Sequence, residues 1–491
     1  MSKSNEAQNN KITLGHLLAL VLVLVAGLWL RLHLVFETHY TAVDGKQYLA
    51  LANELLRGGR FAFSQGAPLS YSRLPGYPLI LALLYRKAAL PADVQVVLGT
   101  QLNAIFDVAT ALIVYGIVRD LCRSRAAALA GMVITLVCPL MFILASHTLT
   151  ETPATFFGTL EIWLTLRALS FCVDVQKGES GKINKWTYVY AALCGLVAGF
   201  AQLIRADAAT LLPPVAIALV WAGRGANLRR RVALLAVFGA CAIAVYAPWP
   251  LRNLARFGKP YLAAWQWRTA WDGRPLPTGP IAWARTWARI RPEETSLDPV
   301  FAFEQPMHAE RRGALLPWMY DDEAERQKLV ALFGRYDRER LSPAVDDGFR
   351  ALATERTARA RFRTYVTLPA ERFVRTFDTV PPSELSSHTK IFDFPAKRPY
   401  VRWFDLALYA FAALGIVFLR RERVAWLLAL AIVGRVVLLA YTVPMGLSQR
   451  HLAEVFPLLI ALAAAGGAAA ISAARGSLAR ARRATPSGSD A

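Results

Sequence analysis

The stretch "AVDGKQYLALANELLRGG", Ala42 to Gly59, follows an apolar run, Ile12 to Leu30, that is long enough to cross a bilayer. It begins with a lone carboxylate, Asp44. From Tyr48 onward, Leu51, Ala52, Leu55 and Leu56 fall at helical spacing, and Gly58-Gly59 then stops the helix. A second apolar piece, "YPLILALLYRKAAL", is too short to span and suits a helix lying at the interface. The segment from Leu32 to Ala92 is therefore a structured outer loop of two surface helices, joined by "RFAFSQGAPLSYSRLPG". A loop of this length is rarely a passive connection.

The rest of the chain fits the same class. It has 491 residues, of which 55% are hydrophobic and only 19% charged, a composition too apolar for an ordinary soluble enzyme. The net charge of +21 lies mostly in short Arg clusters between hydrophobic runs, so it reads as a topology signal and not as a nucleic-acid footprint. The first apolar run follows Lys3 and Lys11 and lacks a small-residue cleavage site, so it is expected to stay as an anchor. Cys122, Cys138, Cys172, Cys194 and Cys241 show neither metal-ligand spacing nor a disulfide framework and read as packing residues.

About ten apolar runs approach spanning length, centred near Val21, Val108, Val133, Ile162, Leu196, Ile217, Val237, Phe411, Leu430 and Ala461. The connections "RDLCRSR", "DVQKGESGKINK", "GRGANLRRR" and "RRER", with the tail "RGSLARARR", are basic. By the positive-inside rule that face is cytoplasmic, along with both termini. The opposite face carries the first outer loop, "ASHTLTETP", "IRAD", the segment from Arg252 to Tyr400, and "VPMGLSQRH". The expected fold class is thus an all-α polytopic membrane protein with a mainly helical outer segment before the last three spans. The expected organisation is a seven-span module over 1–250, an outer helical region over 251–400, a three-span module over 401–474 and a basic tail over 475–491. No P-loop, Rossmann fingerprint or internal repeat is present.

The outer face collects the residues able to do chemistry. Asp44 has Gln47 three residues later, the pattern of a capping box, and a helix N-terminus also keeps a carboxylate ionised for use as a base. Glu151, in "SHTLTETPATFF", is a second acid at the mouth of the fourth span. Arg73, Arg205, Arg252 and Arg450, with Lys46 and His451, stand at the ends of different segments, and Arg suits bidentate phosphate binding. Lipid head groups are the ordinary partners of such residues, and Asp207 could pair with Arg205. Tyr48, Tyr71, Tyr77 and His147 are candidates to line a pocket, although His147 also reads as a neutral interface residue. The aromatic run "YLAAWQWRTAWDG", Tyr261 to Gly273, could stack on sugar rings or belong to an interfacial belt.

Taken in order, "DGKQYLALANELLRGG", "YSRLPGYPLILALLY", "LTETP", "LIRAD", "PWPLRN" and "QRHLAEVFPLL" resemble the membrane glycosyltransferases of the GT-C class. The nearest likeness is to the polyprenyl- or dolichyl-phosphate-sugar-dependent enzymes, the group of the protein mannosyltransferases and the aminoarabinose transferase. The resemblance implies Asp44 as catalytic acid of the first outer loop, Glu151 as the acid of the second, and the Arg positions facing a donor phosphate. Where the family often has a second acid after the first, this chain has Gly45 and then Lys46, which fits a branch that needs no divalent metal. Implied partners are a polyprenyl-phosphate sugar, membrane lipids and a glycan, lipid or protein acceptor, with no nucleic acid. The Arg- and Ala-rich composition with a basic tail fits a bacterial inner membrane protein, whose outer face, carrying the expected site, would be periplasmic.

Competing readings are a secondary transporter, an outer-face ligase or polymerase using a diphosphate-linked oligosaccharide, and a structural membrane subunit. Transporters place ionisable residues at mid-membrane, and here Asp107, Glu161 and Arg435 are the residues of that kind.

Overall fold

The computed structural model describes residues 13–37, 43–86, 90–173, 184–222, 227–260, 278–289, 315, 317–339, 341–377, 398–442 and 449–484. Among them there are helices and no strand. The aromatic run Tyr261 to Gly273 lies outside the described residues.

Helices stand at each of the ten apolar runs. They are α1 Leu14–Glu37, the surface helices α2 Val43–Gly58 and α3 Gly76–Tyr85, then α4 Ala92–Cys122, α5 Arg125–Val137, α6 Pro139–Ala145, α7 Glu151–Val173 and α8 Lys185–Ile204. A 3-10 turn, Ala206–Leu211, leads into α9 Leu212–Ala222, followed by α10 Leu228–Tyr246 and α11 Pro248–Phe257. Six helices, α1, α4, α8, α16 Arg398–Phe418, α17 Arg423–Thr442 and α18 Phe456–Ala484, are long and apolar enough to cross a membrane. The pairs α5–α6 and α10–α11 raise the number to eight if each is one broken span. The expectation of ten counts α7, which carries Glu151, Glu161 and Arg167, and α9, which is short.

The bilayer acts as solvent for this bundle. On α1, Leu14, Leu18, Leu22, Val25 and Trp29 are exposed, an arrangement unfavourable in water and ordinary in lipid. Of the charged residues inside, Arg31 on α1 meets Asp107 on α4 at 2.7 Å, both almost fully buried, with the guanidinium over the Phe142 ring, whereas Glu161 on α7 is buried with neither carboxylate oxygen hydrogen-bonded among the described residues. Small residues let helices approach closely. A Cβ on Gly195 or Gly199 of α8 would fall 2.2 Å from the Phe238 carbonyl oxygen or 2.4 Å from that of Ala242, so α8 and α10 touch backbone to backbone there.

Two proline breaks shape the face that carries the site. Pro139 opens α6 at 56° to α5, and Pro248 opens α11 at 43° to α10, because proline lacks the amide that would continue the preceding helix. The first bend delivers the turn Ser146 to Thr150, and the second lays Arg252 beside the first loop. Helices form at both expected places in the first loop, with Gly59 at φ +63° ending α2, but α3 does not lie free on the surface: Gly76, Tyr77, Leu81 and Tyr85 are buried, with Gly76 against Leu203 of α8.

Beyond α11, the helices α12 Thr278–Arg285, α13 Glu323–Glu339 and α14 Pro343–Arg359 have a core of their own around Trp283, Leu329, Phe333 and Phe349. A π turn, Arg363–Thr367, and α15 Leu368–Thr376 return the chain to the bundle, where Arg372 donates to the carbonyls of Arg285, Ala288 and Ala440.

Replacing Gly195 with valine should push α8 off α10 and cost about 1 to 3 kcal/mol, as overpacking usually does. Thermal unfolding in detergent reads this as a clear drop in midpoint, and an unchanged midpoint would mean that the two helices do not touch there.

Candidate active site

The site is assembled from five chain segments that each end near the same point. Asp44 lies inside the first turn of α2, and its Oδ1 accepts from Arg73 Nη2 at 2.5 Å. Gln47 does not complete a capping box: its Oε1 accepts from Arg73 Nε at 2.8 Å and Nη2 at 2.6 Å. Arg73, delivered by the loop before α3, thus grips two side chains one helical turn apart on α2, and it stacks over the Tyr48 ring. The other carboxylate oxygen of Asp44, Oδ2, is 3.9 Å from Arg450 Nη2.

Glu151 begins α7 and is buried. Its Oε1 lies 3.2 Å from Arg205 Nη1 and 3.8 Å from Arg450 Nε. Arg205 occupies the break between α8 and its following 3-10 turn, where the chain is extended. Its guanidinium also meets Asp207 Oδ2 at 3.0 Å and Glu454 Oε1 at 3.1 Å, and donates to Thr150 Oγ1. Arg435, from within α17, adds Nη2 contacts to Asp207 at 2.7 Å and Glu454 at 3.0 Å, and it donates to the His451 carbonyl.

The structure divides the expected residues into three groups. Asp44, Arg73, Glu151, Arg205 and Arg450 come together, with His451 on the same 3-10 turn as Arg450, Gln449–Val455. Arg205, expected to face a phosphate, instead holds three carboxylates, and the pairing with Asp207 is the one observed. Arg252 stands at the side of this cluster. It donates to the Ser70 carbonyl and to Asn253, lies over Trp249 at 4.9 Å and Phe257 at 5.3 Å, and has no carboxylate partner among the described residues. Lys46 is exposed.

The four pocket candidates fare differently. Tyr77 and His147 have no exposed surface: the Tyr77 hydroxyl donates to Asn103 Oδ1, and His147 Nδ1 sits 3.0 Å from the Ile143 carbonyl. Both are packing groups, because a side chain closed on all sides cannot touch a ligand. Asn103 also donates to the His147 carbonyl, so the three fix the turn before Glu151. Tyr48 is nearly buried edge-on against Tyr77, and burial pushes its hydroxyl up, so it stays protonated. Tyr71 is half-buried beside Phe257.

Sequence reasoning missed Glu454 and the role of Arg435. The available signal was Arg435 itself, since an intramembrane guanidinium requires an acidic partner. Among the described residues, no group of three or more His, Cys, Asp or Glu side chains is placed to hold a metal ion, and each of the four clustered acids faces a guanidinium.

Known proteins resemble parts or the whole of this chain. The family described as dolichyl-phosphate-mannose-protein mannosyltransferase matches residues 78–250, the part of the chain from α3 to α11. No curated protein matches in sequence. Among solved structures, the archaeal oligosaccharyltransferase AglB from Archaeoglobus fulgidus, in complex with an inhibitory peptide and a dolichol-phosphate, superposes with a TM-score of 0.51 at 15% identity, over 97% of this chain and 52% of that one. Its apo form gives 0.51 at 15% identity, over 95% and 52%. ArnT from Cupriavidus metallidurans, bound to undecaprenyl phosphate, gives 0.41 at 15% identity, over 95% and 81%. The chain spans about half the length of the oligosaccharyltransferase it resembles. The fold is like that of the archaeal oligosaccharyltransferase.

The network separates structural from available cations. Arg205→Met would leave buried Glu151 with only the 3.8 Å contact to Arg450 and Asp207 and Glu454 with Arg435 alone, and should cost about 3 kcal/mol. Arg450→Met removes a side chain 29% exposed and should cost less than about 1 kcal/mol. Chemical or thermal unfolding of the two variants side by side checks this; equal losses would contradict the division.

Proposed function

We propose that this chain is an inverting glycosyltransferase that moves a sugar from a polyprenyl-phosphate donor to an acceptor hydroxyl at the outer surface of a bacterial inner membrane. The observation that carries the reading is the placement of Arg450, with Asp44 Oδ2 at 3.9 Å on one side and Glu151 at 3.8 Å on the other. These distances are too long for hydrogen bonds, so Arg450 retains donors for an anion beside a carboxylate that can serve as a base.

In the proposed step the acceptor oxygen bonds to the anomeric carbon from the face opposite the phosphate. The bond between that carbon and the phosphate oxygen breaks, and polyprenyl phosphate leaves with the bonding electrons. Asp44 Oδ2 takes the acceptor proton, which becomes acidic as the new bond forms. Arg73 holds Oδ1 and so aims the other oxygen. Arg450 neutralises the charge growing on the leaving phosphate, with Arg252 and Lys46 as further donors from the side. Glu151 is assigned a positioning role, because it is buried and shared between Arg205 and Arg450.

Membrane placement supports the same reading. An isoprenoid tail costs about 0.8 kcal/mol per CH₂ to withdraw from lipid, so the acid has to come to the interface. The transporter reading loses support at two of its three residues, because Asp107 and Arg435 are tied into ion pairs within the bundle, whereas Glu161 is buried with neither carboxylate oxygen hydrogen-bonded among the described residues. The outer region, 251–400, is assigned to acceptor selection.

Asp44→Asn should keep the fold and lower transfer about 10² to 10⁴-fold, the usual worth of a general base. The assay uses purified protein with a panel of synthetic polyprenyl-phosphate sugars and a membrane extract as acceptor, and EDTA should leave the wild-type rate unchanged. Equal turnover by wild type and variant would reject Asp44 as the base. A sugar trapped covalently on the protein would reject inversion. Arg450→Lys should mainly raise KM for the donor, since Lys keeps the charge and loses the bidentate contact.

A further inference from the structure

The helical segment 361–376 joins the outer helices to the bundle, and its two sides differ. On one side Leu368, Pro369, Arg372 and Thr376 are buried. Arg372 is tied to the carbonyls of Arg285, Ala288 and Ala440, and the Tyr441 hydroxyl donates to the Tyr365 carbonyl at 2.8 Å. On the other side Phe362, Val366 and Val374 are 72%, 47% and 69% exposed, with Ala370 between them at the same four-residue spacing and Tyr365 alongside. A residue two places from a buried one on a helix points to the opposite face, so this is a continuous apolar stripe and not scattered exposure.

The height of the segment identifies what covers the stripe. Ala440 and Tyr441 belong to the last turn of α17, a helix long and apolar enough to span, so the segment is fastened where that helix leaves the lipid. The antiparallel neighbour α16 starts at the same end and exposes Tyr400 and Trp403 there, while Tyr441 is exposed on α17. Aromatic residues gathered at one end of two spans mark the boundary between head groups and acyl chains. Arg361 is exposed at one end of the stripe and Arg375 is half-exposed at the other, where lipid phosphates would lie.

We propose that segment 361–376 is an interfacial helix whose Phe362–Val374 stripe is sunk into the lipid of the leaflet on the site face, so that the outer helices ride on the membrane surface. The partner is the bilayer itself, met through acyl chains by the stripe and through anionic head groups by Arg361 and Arg375. The inference does not depend on the reaction proposed above.

The test places an environment-sensitive bimane label at Phe362→Cys and at Val374→Cys in the full chain, reconstituted in nanodiscs of phosphatidylethanolamine and phosphatidylglycerol. Glu323→Cys, on an exposed turn of α13, is the reference, and wild-type protein labelled in parallel gives the background of native cysteines. Lipids brominated high on the acyl chain should quench the labels at 362 and 374 by about half, the depth expected of an interfacial helix, and leave 323 unaffected. Aqueous iodide should show the reverse order. Iodide quenching at 362 and 374 equal to that at 323 would overturn the proposal. Shielding from both quenchers would overturn it too, by showing that protein covers the stripe. Each variant is checked for a wild-type elution profile, and Val366→Cys replaces any that fails.

Discussion

Arg205 is the constraint on which the site depends. One guanidinium, almost withdrawn from solvent, meets Glu151 from the start of α7, Asp207 from the turn after α8 and Glu454 from the turn before α18. Three segments far apart in sequence are thereby fixed at one point. A carboxylate in this environment is tolerable only with a cation against it, so removing the hub leaves Glu151 with a distant Arg450 and makes Asp207 and Glu454 share Arg435 alone. Arg435 extends the hub into the bundle, and Arg450 extends it toward Asp44. The candidate base on the surface is in this way referenced to the interior of the membrane domain, with Arg73 providing the last link.

Such a site has to be built at helix ends. A spanning helix satisfies its own backbone and offers side chains mainly to lipid or to neighbours. Breaks at Pro139, Arg205 and Pro248 interrupt this pattern at one face, and each delivers a polar group that the cluster or its flank uses. The apolar majority of the sequence positions these breaks, and the few charged residues gather where they occur.

The sequence made much of this legible, for reasons that differ by residue. Asp44, Arg73, Glu151 and Arg450 stand out because each is polar next to an apolar run. The helix ending at Gly59 was readable from spacing and the paired glycines. Glu454 was hidden inside "QRHLAEVF", where it resembles a polar residue at a helix entry, and its partner Arg435 appeared only as an intramembrane exception. Gln47 was misassigned because capping patterns are local, whereas Arg73 approaches from 26 residues away and takes the same oxygen. Tyr77 and His147 looked accessible because surface loops usually are, and only tertiary packing against Asn103 closes them.

The cluster is balanced in formal charge: Asp44, Glu151, Asp207 and Glu454 face Arg73, Arg205, Arg435 and Arg450. Seen from a distance, these eight charges interleaved at contact range cancel, and what reaches beyond them is the field of Arg252 and Lys46 at the side, neither of which has a carboxylate partner among the described residues. An anionic group approaching this face would therefore be steered to the flank of Arg252 and Lys46 and not to the neutral centre of the cluster, and added salt would weaken that steering without loosening the contacts within the cluster.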